Sequence, residues 1–309
     1  MIYTVTLNPA MDKTAQAPGF KIDAVTRITE LRSDPGGKGI NVSKVVAKLG
    51  GTSKALAILA GNTGEAIKAM LADQGIEVVP FEVEGETRTN LKVIDPEAGT
   101  HTDINEPGPH VSAEFLDGML DSLCGMVSAG DIVVFSGSAP AGCSDDVYRV
   151  WTERCRAAGA KVFLDADGAK LVAGLKAKPY LTKPNEVELG AILGRELDDD
   201  AKVAEAARQL VADGIERVVV SMGGAGAVFA DAERVVRGIS PKVPVGSTVG
   251  AGDSVVAALA FAEERGMSLE DTVRLAMATG AANVMESGTQ AAERSVVDSL
   301  VDKVEIREL

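Results

Sequence analysis

Thr248-Val249-Gly250-Ala251-Gly252-Asp253-Ser254 runs directly into an apolar helix pattern, Val255 to Ala262. Two glycines in a tight turn before a helix let successive backbone N–H groups converge, and the helix N-terminus adds about half a positive charge there. That combination is an anion hole. Asp253 stands in it, where a carboxylate could act as general base for a hydroxyl receiving a phosphoryl group. Simple capping of the helix by Asp253 would write the same letters. A second glycine-rich segment, Pro35-Gly36-Gly37-Lys38-Gly39-Ile40-Asn41-Val42, offers backbone N–H groups, an ammonium and an amide to an oxygen-rich ligand. It is not a Walker A loop, because Gly39 follows Lys38 and leaves no hydroxyl for magnesium. A plain strand-to-helix connection is its other reading.

Two further segments carry polar groups at suggestive spacing. In Thr182-Lys183-Pro184-Asn185-Glu186-Val187-Glu188, a helix starting near Pro184 puts Asn185 and Glu188 on one face of its first turn. An amide and a carboxylate there could meet a hydrated magnesium ion, which asks for few protein oxygens, or could simply cap the helix. Ser221-Met222-Gly223-Gly224-Ala225-Gly226 ends a strand in a turn where backbone could approach a nucleotide, although a hairpin explains the same residues. Asp12, Arg27, Arg88, Asn90, Ser136 and Ser138 are the remaining polar candidates. His101 and His110 are too few for a zinc site, and there is no GxSxG nucleophile.

These residues need a scaffold. Short Val- and Ile-rich runs alternate with 3.6-period stretches, the pattern of a parallel sheet covered by helices. Strands are predicted at Ile2 to Leu7, Lys54 to Leu59, Asp131 to Phe135, Lys161 to Leu164 and Arg217 to Val220. Helices are predicted at Val42 to Leu49, Glu65 to Asp73, Ala113 to Met126, Asp145 to Ala157 and Ala201 to Ala212. Gly50, Gly75, Gly159 and Gly214 follow helices where left-handed caps belong. Ala15 to Arg32 and Thr87 to Asn105 instead alternate polar and apolar residues and read as a small exposed sheet, a flap over a site. No linker divides the 309 residues, so one domain over 1–309 is expected.

Composition removes several function classes. Lys and Arg number 31 against 45 Asp and Glu, a net charge of −14, and no two basic residues are adjacent. Nucleic acid binding needs clustered cations, and aromatic residues for base stacking make up only 4%. The most apolar run, Val255 to Ala262, is far short of the ~20 residues that span a bilayer, and no signal peptide is legible. Cys124, Cys143 and Cys155 are dispersed, as expected of reduced thiols in the cytoplasm.

Taken together, the sequence resembles the ribokinase-like sugar kinases of the PfkB family, in particular their phosphosugar branch. The resemblance rests on Thr4-Val5-Thr6-Leu7-Asn8-Pro9-Ala10-Met11-Asp12, GGKGINV at Gly36 to Val42, TRTN at Thr87 to Asn90, SGS at Ser136 to Ser138, KPNEVE at Lys183 to Glu188 and TVGAGDS at Thr248 to Ser254. It implies a three-layer α/β ribokinase-like fold with a mostly parallel central sheet and a small β-sheet lid, and homodimers paired through the lid. It also implies ATP as phosphoryl donor, with Mg2+. By position, Asp12, Gly37, Asn41 and Asn90 would face the sugar. Arg27, Lys38 and Arg88 would hold its phosphate, with Ser138 nearby. Asp253 would be the base, with the amides of Gly250, Ala251 and Gly252 in the anion hole. Asn185 and Glu188 would organise magnesium. Lys183, Asn185, Ser221, Gly223, Gly226 and Thr248 would line the ATP site, with Asn283 approaching the adenine.

The implied reaction is phosphorylation of the free primary hydroxyl of a ketohexose monophosphate, foremost fructose 1-phosphate to fructose 1,6-bisphosphate. Tagatose 6-phosphate is the alternative substrate. A minor-type 6-phosphofructokinase is disfavoured by Lys38, where that type usually has Gly. A non-catalytic sugar-phosphate or nucleotide sensor on the same fold is the alternative of a different class. The chain departs from the family pattern at Ala139, usually Leu, and at Asp167, usually Ser.

Overall fold

A computed structural model describes residues 1–309. The apolar runs lie side by side in parallel, and strands buried on both faces lack the alternation of a half-exposed sheet. In chain order the strands are β1 (Ile2–Thr6), β2 (Ala10–Gln16), β3 (Glu30–Gly36), β4 (Ser53–Leu59), β5 (Glu77–Glu82), β6 (Arg88–Asp95), β7 (Thr100–Asn105) and β8 (Ile132–Ser136). There follow β9 (Lys161–Asp165), β10 (Leu181–Thr182), β11 (Arg217–Ser221), β12 (Ala227–Ala230), β13 (Val235–Ile239) and β14 (Glu305–Glu308). The helices are α1 (Lys38–Lys48), α2 (Gly61–Asp73), α3 (Ala113–Met126), α4 (Val147–Ala157), α5 (Gly168–Leu175), α6 (Glu186–Leu193), α7 (Asp200–Ala212), α8 (Ala251–Glu264), α9 (Leu269–Val284) and α10 (Arg294–Val301).

Ten strands form the large sheet in the order β14-β13-β12-β11-β10-β9-β8-β1-β4-β5. From β5 to β11 neighbours are parallel; β11 to β14 are antiparallel. Period-two alternation sends Ile2, Ile132 and Phe163 to one face, under Val46 of α1, Val256 of α8 and Val273 of α9. Tyr3, Val5 and Phe135 go to the other, under Leu120 of α3, Trp151 of α4 and Leu171 of α5. This is the expected α/β fold with a mostly parallel sheet. No helix is long and apolar enough to cross a membrane.

A four-stranded sheet, β3-β2-β6-β7, projects from the main layer. The segment read as Thr87 to Asn105 forms β6 and β7. The Ala15 to Arg32 expectation is displaced, because the strands there are Ala10–Gln16 and Glu30–Gly36, paired from Ala10↔Gly36 to Gln16↔Glu30. The segments flanking the predicted stretch do the pairing, and Arg27 falls in the exposed connection between them. The structure also contains β5, β10, β13 and β14, which the sequence reading did not place. Helix α1 starts at Lys38, four residues ahead of the predicted Val42. Gly50, Gly75, Gly159 and Gly214 all take positive φ at helix ends, as expected.

The early start of α1 presses its first turn onto the end of β1. A Cβ at Gly39 would stand 2.5 Å from Thr6 Oγ1 and 2.6 Å from the Val5 carbonyl oxygen. The neighbour there is backbone in the centre of the sheet and cannot step aside. Gly39→Ala is therefore expected to destabilise the fold by about 1–3 kcal/mol, the usual penalty of overpacking, read as a lowered urea midpoint. An unchanged midpoint would show that the contact is not tight.

Candidate active site

Strand β1 has β4 on one side and β8 on the other, and the chain leaves its carboxyl end to build the small sheet. Crevices at such switch points, outside the carboxyl ends of parallel strands, are where open α/β sheets bind ligands. A cleft of about 530 Å³ opens there, roofed by β2 and β6. Thr6 from β1, Ser136 from β8 and Asp165 from β9 line it, and only Val249 among its lining residues is hydrophobic.

The cleft gathers Asp12, Gly37, Lys38, Asn41, Arg88, Asn90, Ser138, Lys183, Asn185, Glu188, Ser221, Gly250, Gly252 and Asp253, fourteen of the twenty residues to which the resemblance gives a role. It leaves out Arg27, Gly223, Gly226, Thr248, Ala251 and Asn283. Gly223 and Gly226 flank a short turn closing the β11–β12 hairpin, the simpler reading of that segment. Thr248 lines a neighbouring cavity of about 360 Å³ beside the β6–β7 turn. Asn283, expected near an adenine, is buried on α9 and donates from Nδ2 to the Val249 carbonyl at 3.3 Å, bracing the glycine loop.

Asp253 lies in the first turn of α8, whose N-cap is Gly250 at φ 80° with no side-chain cap. Helix capping by Asp253 is thereby excluded. The carboxylate is buried, and Asn41 Nδ2 donates to its Oδ2 at 2.8 Å. Burial, and then the nearby negative charge of Asp165, push its pKa up to about 6; the Asn41 hydrogen bond, Lys38 and Lys183 pull the other way. A carboxylate near neutrality, with one oxygen fixed by an amide, suits a general base.

Asp165, which sequence reasoning did not assign, organises the cations. Lys183 Nζ is 3.3 Å from its Oδ1 and Lys38 Nζ 3.8 Å from its Oδ2. Attraction to Asp165 is the main reason that the Lys38 ammonium titrates above its ordinary range. Asp253, Asp167 and Glu188 add to that attraction, so Lys38 stands among the carboxylates of the cleft floor. Asp167, the departure from the family pattern, lines the same cleft from an exposed position.

On the roof, Asn90 Nδ2 donates to Asp12 Oδ1 at 2.9 Å across the β2–β6 pairing. Burial raises the Asp12 carboxyl above its usual range, opposed first by that hydrogen bond. Gly36 is needed at this place, since a Cβ would fall 2.0 Å from Asp12 Oδ2. Arg88 donates to the carbonyls of Asn8 at 3.1 Å, Glu106 at 3.2 Å and Pro9 at 3.4 Å, tying the roof to the connection after β1. Asn185 and Glu188 form a capping box on α6, with bonds of 2.7 Å and 2.9 Å. Capping is thus real, and both residues still border the cleft. No three His, Cys, Asp or Glu side chains are grouped to cage a metal.

Six buried side-chain oxygens in the protein have no hydrogen-bond partner: Thr6 Oγ1, Asn8 Oδ1, Asn90 Oδ1, Ser136 Oγ, Thr152 Oγ1 and Thr289 Oγ1. All but Thr152 belong to residues lining this cleft. Buried polar atoms are normally satisfied, so a concentration of orphans at one place points to a ligand rich in hydroxyls. Thr6 and Thr289 escaped the sequence reading because a lone Thr in a strand or loop has no signature.

Residues 6–295 match the pattern of the pfkB family carbohydrate kinases. The chain is 42% identical over 280 residues to a 1-phosphofructokinase of Xanthomonas campestris pv. campestris, covering 89% of this chain and 88% of that protein. It is 37% identical over 311 residues to a 1-phosphofructokinase of Bacillus subtilis, covering 100% of both. Among solved structures, phosphofructokinase-2 from Escherichia coli in complex with potassium superposes with a TM-score of 0.93 at 33% identity, covering 98% of each chain.

The raised pKa of Asp253 has a cost for stability with a defined direction. Folding disfavours its ionised form, so the native state loses stability as pH rises from about 4, the unfolded value, through the folded value near 6, and bears the whole penalty above that. Asp253→Asn removes the ionisation. It should be more stable than wild type at pH 8 by on the order of 2–3 kcal/mol, the difference fading toward pH 4. Urea unfolding at the two pH values measures this, and a difference independent of pH would refute it.

Proposed function

Because the chain belongs to the pfkB family of carbohydrate kinases, we propose that it transfers the γ-phosphoryl group of ATP to the free primary hydroxyl of fructose 1-phosphate, giving fructose 1,6-bisphosphate. The observation that carries this reading is the cluster of unpartnered buried oxygens opening into one cleft with the Asp253 carboxylate at a helix N-terminus. The curated relatives named above support the choice of ketohexose phosphate.

In this reading the acceptor hydroxyl donates its hydrogen bond to the Asp253 oxygen not held by Asn41. As its oxygen bonds to the γ-phosphorus, the bond from that phosphorus to the β–γ bridging oxygen breaks. ADP leaves with the electron pair, and Asp253 takes the proton. The amides of Gly250, Ala251 and Gly252, Lys38 and Lys183 face the charge on the transferring group. Asp12 and Asn90 align the sugar, and Arg88 and Ser138 border the end where its phosphate would lie. Glu188 and Asn185 would hold a hydrated magnesium ion, which asks for one or two protein oxygens and, bound with ATP, would neutralise phosphate charge. The purine end would extend past Ser221 toward Gly223, Gly226 and Thr248.

The 32% identity to Escherichia coli phosphofructokinase-2, solved in complex with fructose-6-phosphate, favours one second reading, 6-phosphofructokinase activity. A coupled ADP-release assay over fructose 1-phosphate, fructose 6-phosphate, tagatose 6-phosphate and fructose separates the possibilities. The expected order places fructose 1-phosphate first in kcat/KM and unphosphorylated fructose last, and a higher value for any other sugar overturns the assignment. With the best substrate, Asp253→Asn should lower kcat at least about 100-fold, as for other positioned bases. Loss of less than half would refute Asp253 as the base, and ADP release with no sugar acceptor would refute the kinase reading.

The lid suggests how copies of this cytoplasmic enzyme pair. Ile22 is 92% exposed and Val25 87% exposed, and Phe20, Ile28, Leu31 and Ile104 are exposed on the same small sheet or its connection. Apolar patches of this kind mark association surfaces, and a second copy is the occupant that we propose. Arg27 stands in this patch outside its own cleft, so any part it takes in phosphate binding depends on that pairing. Ile22→Asp should yield monomers by light scattering and raise KM for the sugar phosphate while sparing KM for ATP. A persisting dimer, or an effect on ATP alone, would sink the lid interface.

A further inference from the structure

Lys44 is a buried cation that the reaction just described does not use. It lies one helical turn after Asn41 on α1 and is 5% exposed. Its Nζ donates to the Thr289 carbonyl at 2.7 Å, to the Pro35 carbonyl at 3.0 Å and to Asn41 Oδ1 at 3.4 Å. Three acceptors meet the three donors of an ammonium. The first two are backbone groups, one at the root of lid strand β3 and one in the cleft-lining loop after α9.

The third acceptor matters for the base. An asparagine amide is nearly symmetric in shape, and its two ends differ only in hydrogen bonding. Asn41 touches Asp253 with one end and Lys44 with the other. If the amide turned over, its oxygen would face a carboxylate and its NH2 an ammonium, both repulsive. We propose that Lys44 is a positioning residue for phosphoryl transfer: anchored on Pro35 and Thr289, it fixes the Asn41 amide so that NH2 holds one oxygen of Asp253 and the other is left for the acceptor hydroxyl.

The inference rests on the kinase reading, since Asp253 must be the base for its orientation to matter. Burying an ammonium is costly, and an apolar side chain of similar length would serve packing at least as well. Burial is the main cause of a Lys44 pKa lowered to about 8, against the opposing charges of Asp34 on β3, Asp12 on β2 and Asp253 on α8; Arg32 on β3 lowers it further. A neutral amine has one donor fewer, and the longest bond, to Asn41, is the one released first.

A double-mutant cycle of Lys44→Gln and Asn41→Ala tests the coupling, with kcat, both KM values and the kcat–pH profile as readouts. Lys44→Gln is expected to lower kcat roughly tenfold or more with KM for ATP within about twofold, and in the Asn41→Ala background to change kcat by less than about threefold. It should also move the acid limb of kcat to higher pH, because a lost positive charge and a turned amide both disfavour the carboxylate. Equal factors in both backgrounds, or an unmoved limb, would overturn the proposal. Wild-type protein gives a check that needs no variant. Its kcat should fall along an alkaline limb coincident with the titration of Lys44, followed by NMR of carbon-13-labelled lysine, and a flat kcat through that titration overturns the proposal. Wild-type turnover of the sugar phosphate in these assays tests the kinase reading separately. Its absence sinks both, whereas turnover without coupling sinks only the role of Lys44.

Discussion

Taking a carboxylate out of water is among the more costly acts in a fold, and here it happens at Asp253 without a salt bridge in direct contact. The compensation is distributed: an amide hydrogen bond from Asn41, the N-terminus of α8, and the charges of two lysines held on Asp165. Each contributor comes from a different element. Asn41 requires α1 to start at Lys38, so that its first turn meets the end of β1. Lys183 requires β10 beside β9. The polar end of the sheet thus gathers an amide and two cations around one buried charge, while the apolar layers pack the sheet from both faces.

Much of this was legible in the sequence where chemistry and backbone conformation demand the same letters. Gly250 is written by its left-handed φ, Gly36 by the close approach of Asp12, and Asp253 by its place after both loop glycines. Asp165 was not legible as the anchor of two lysines, because its meaning depends on which strands are neighbours. Lys38 comes from the helix after β3, Lys183 from beyond β10, and only the β8-β9-β10 order brings them to one carboxylate. Thr289, Thr6 and Lys44 were missed for a similar reason: a single polar residue in a loop, strand or helix has no periodic or motif signal.

The small sheet is the part that sequence patterning placed least well. Its sequence alternation was visible in Thr87 to Asn105, although β6 is half-buried on both faces over Arg88 to Lys92 and β7 is exposed throughout. It was misleading before Arg32, because the exposed apolar residues from Phe20 to Ile28 belong to a connection and not to a strand. Apolar residues that do not enter their own core break the rule on which alternation rests. The cleft therefore sits between a main layer buried on both faces and a roof whose outer connection leaves Ile22 and Val25 in solvent.

The central position of β1 bears on how the molecule assembles. Ile2 pairs with Ser53 on one side and with Ile132 on the other. During synthesis, the strand that ends in Thr6 therefore waits for a partner some 130 residues downstream (132 − 2) before its second edge is covered. Until β8 emerges, that edge is an unpaired template of buried-type residues, open to wrong strands and to other nascent chains. The placement that gives the cleft its floor thus leaves the earliest-made strand half-secured until the middle of the chain is made, and ties the yield of folded protein to how quickly that middle follows.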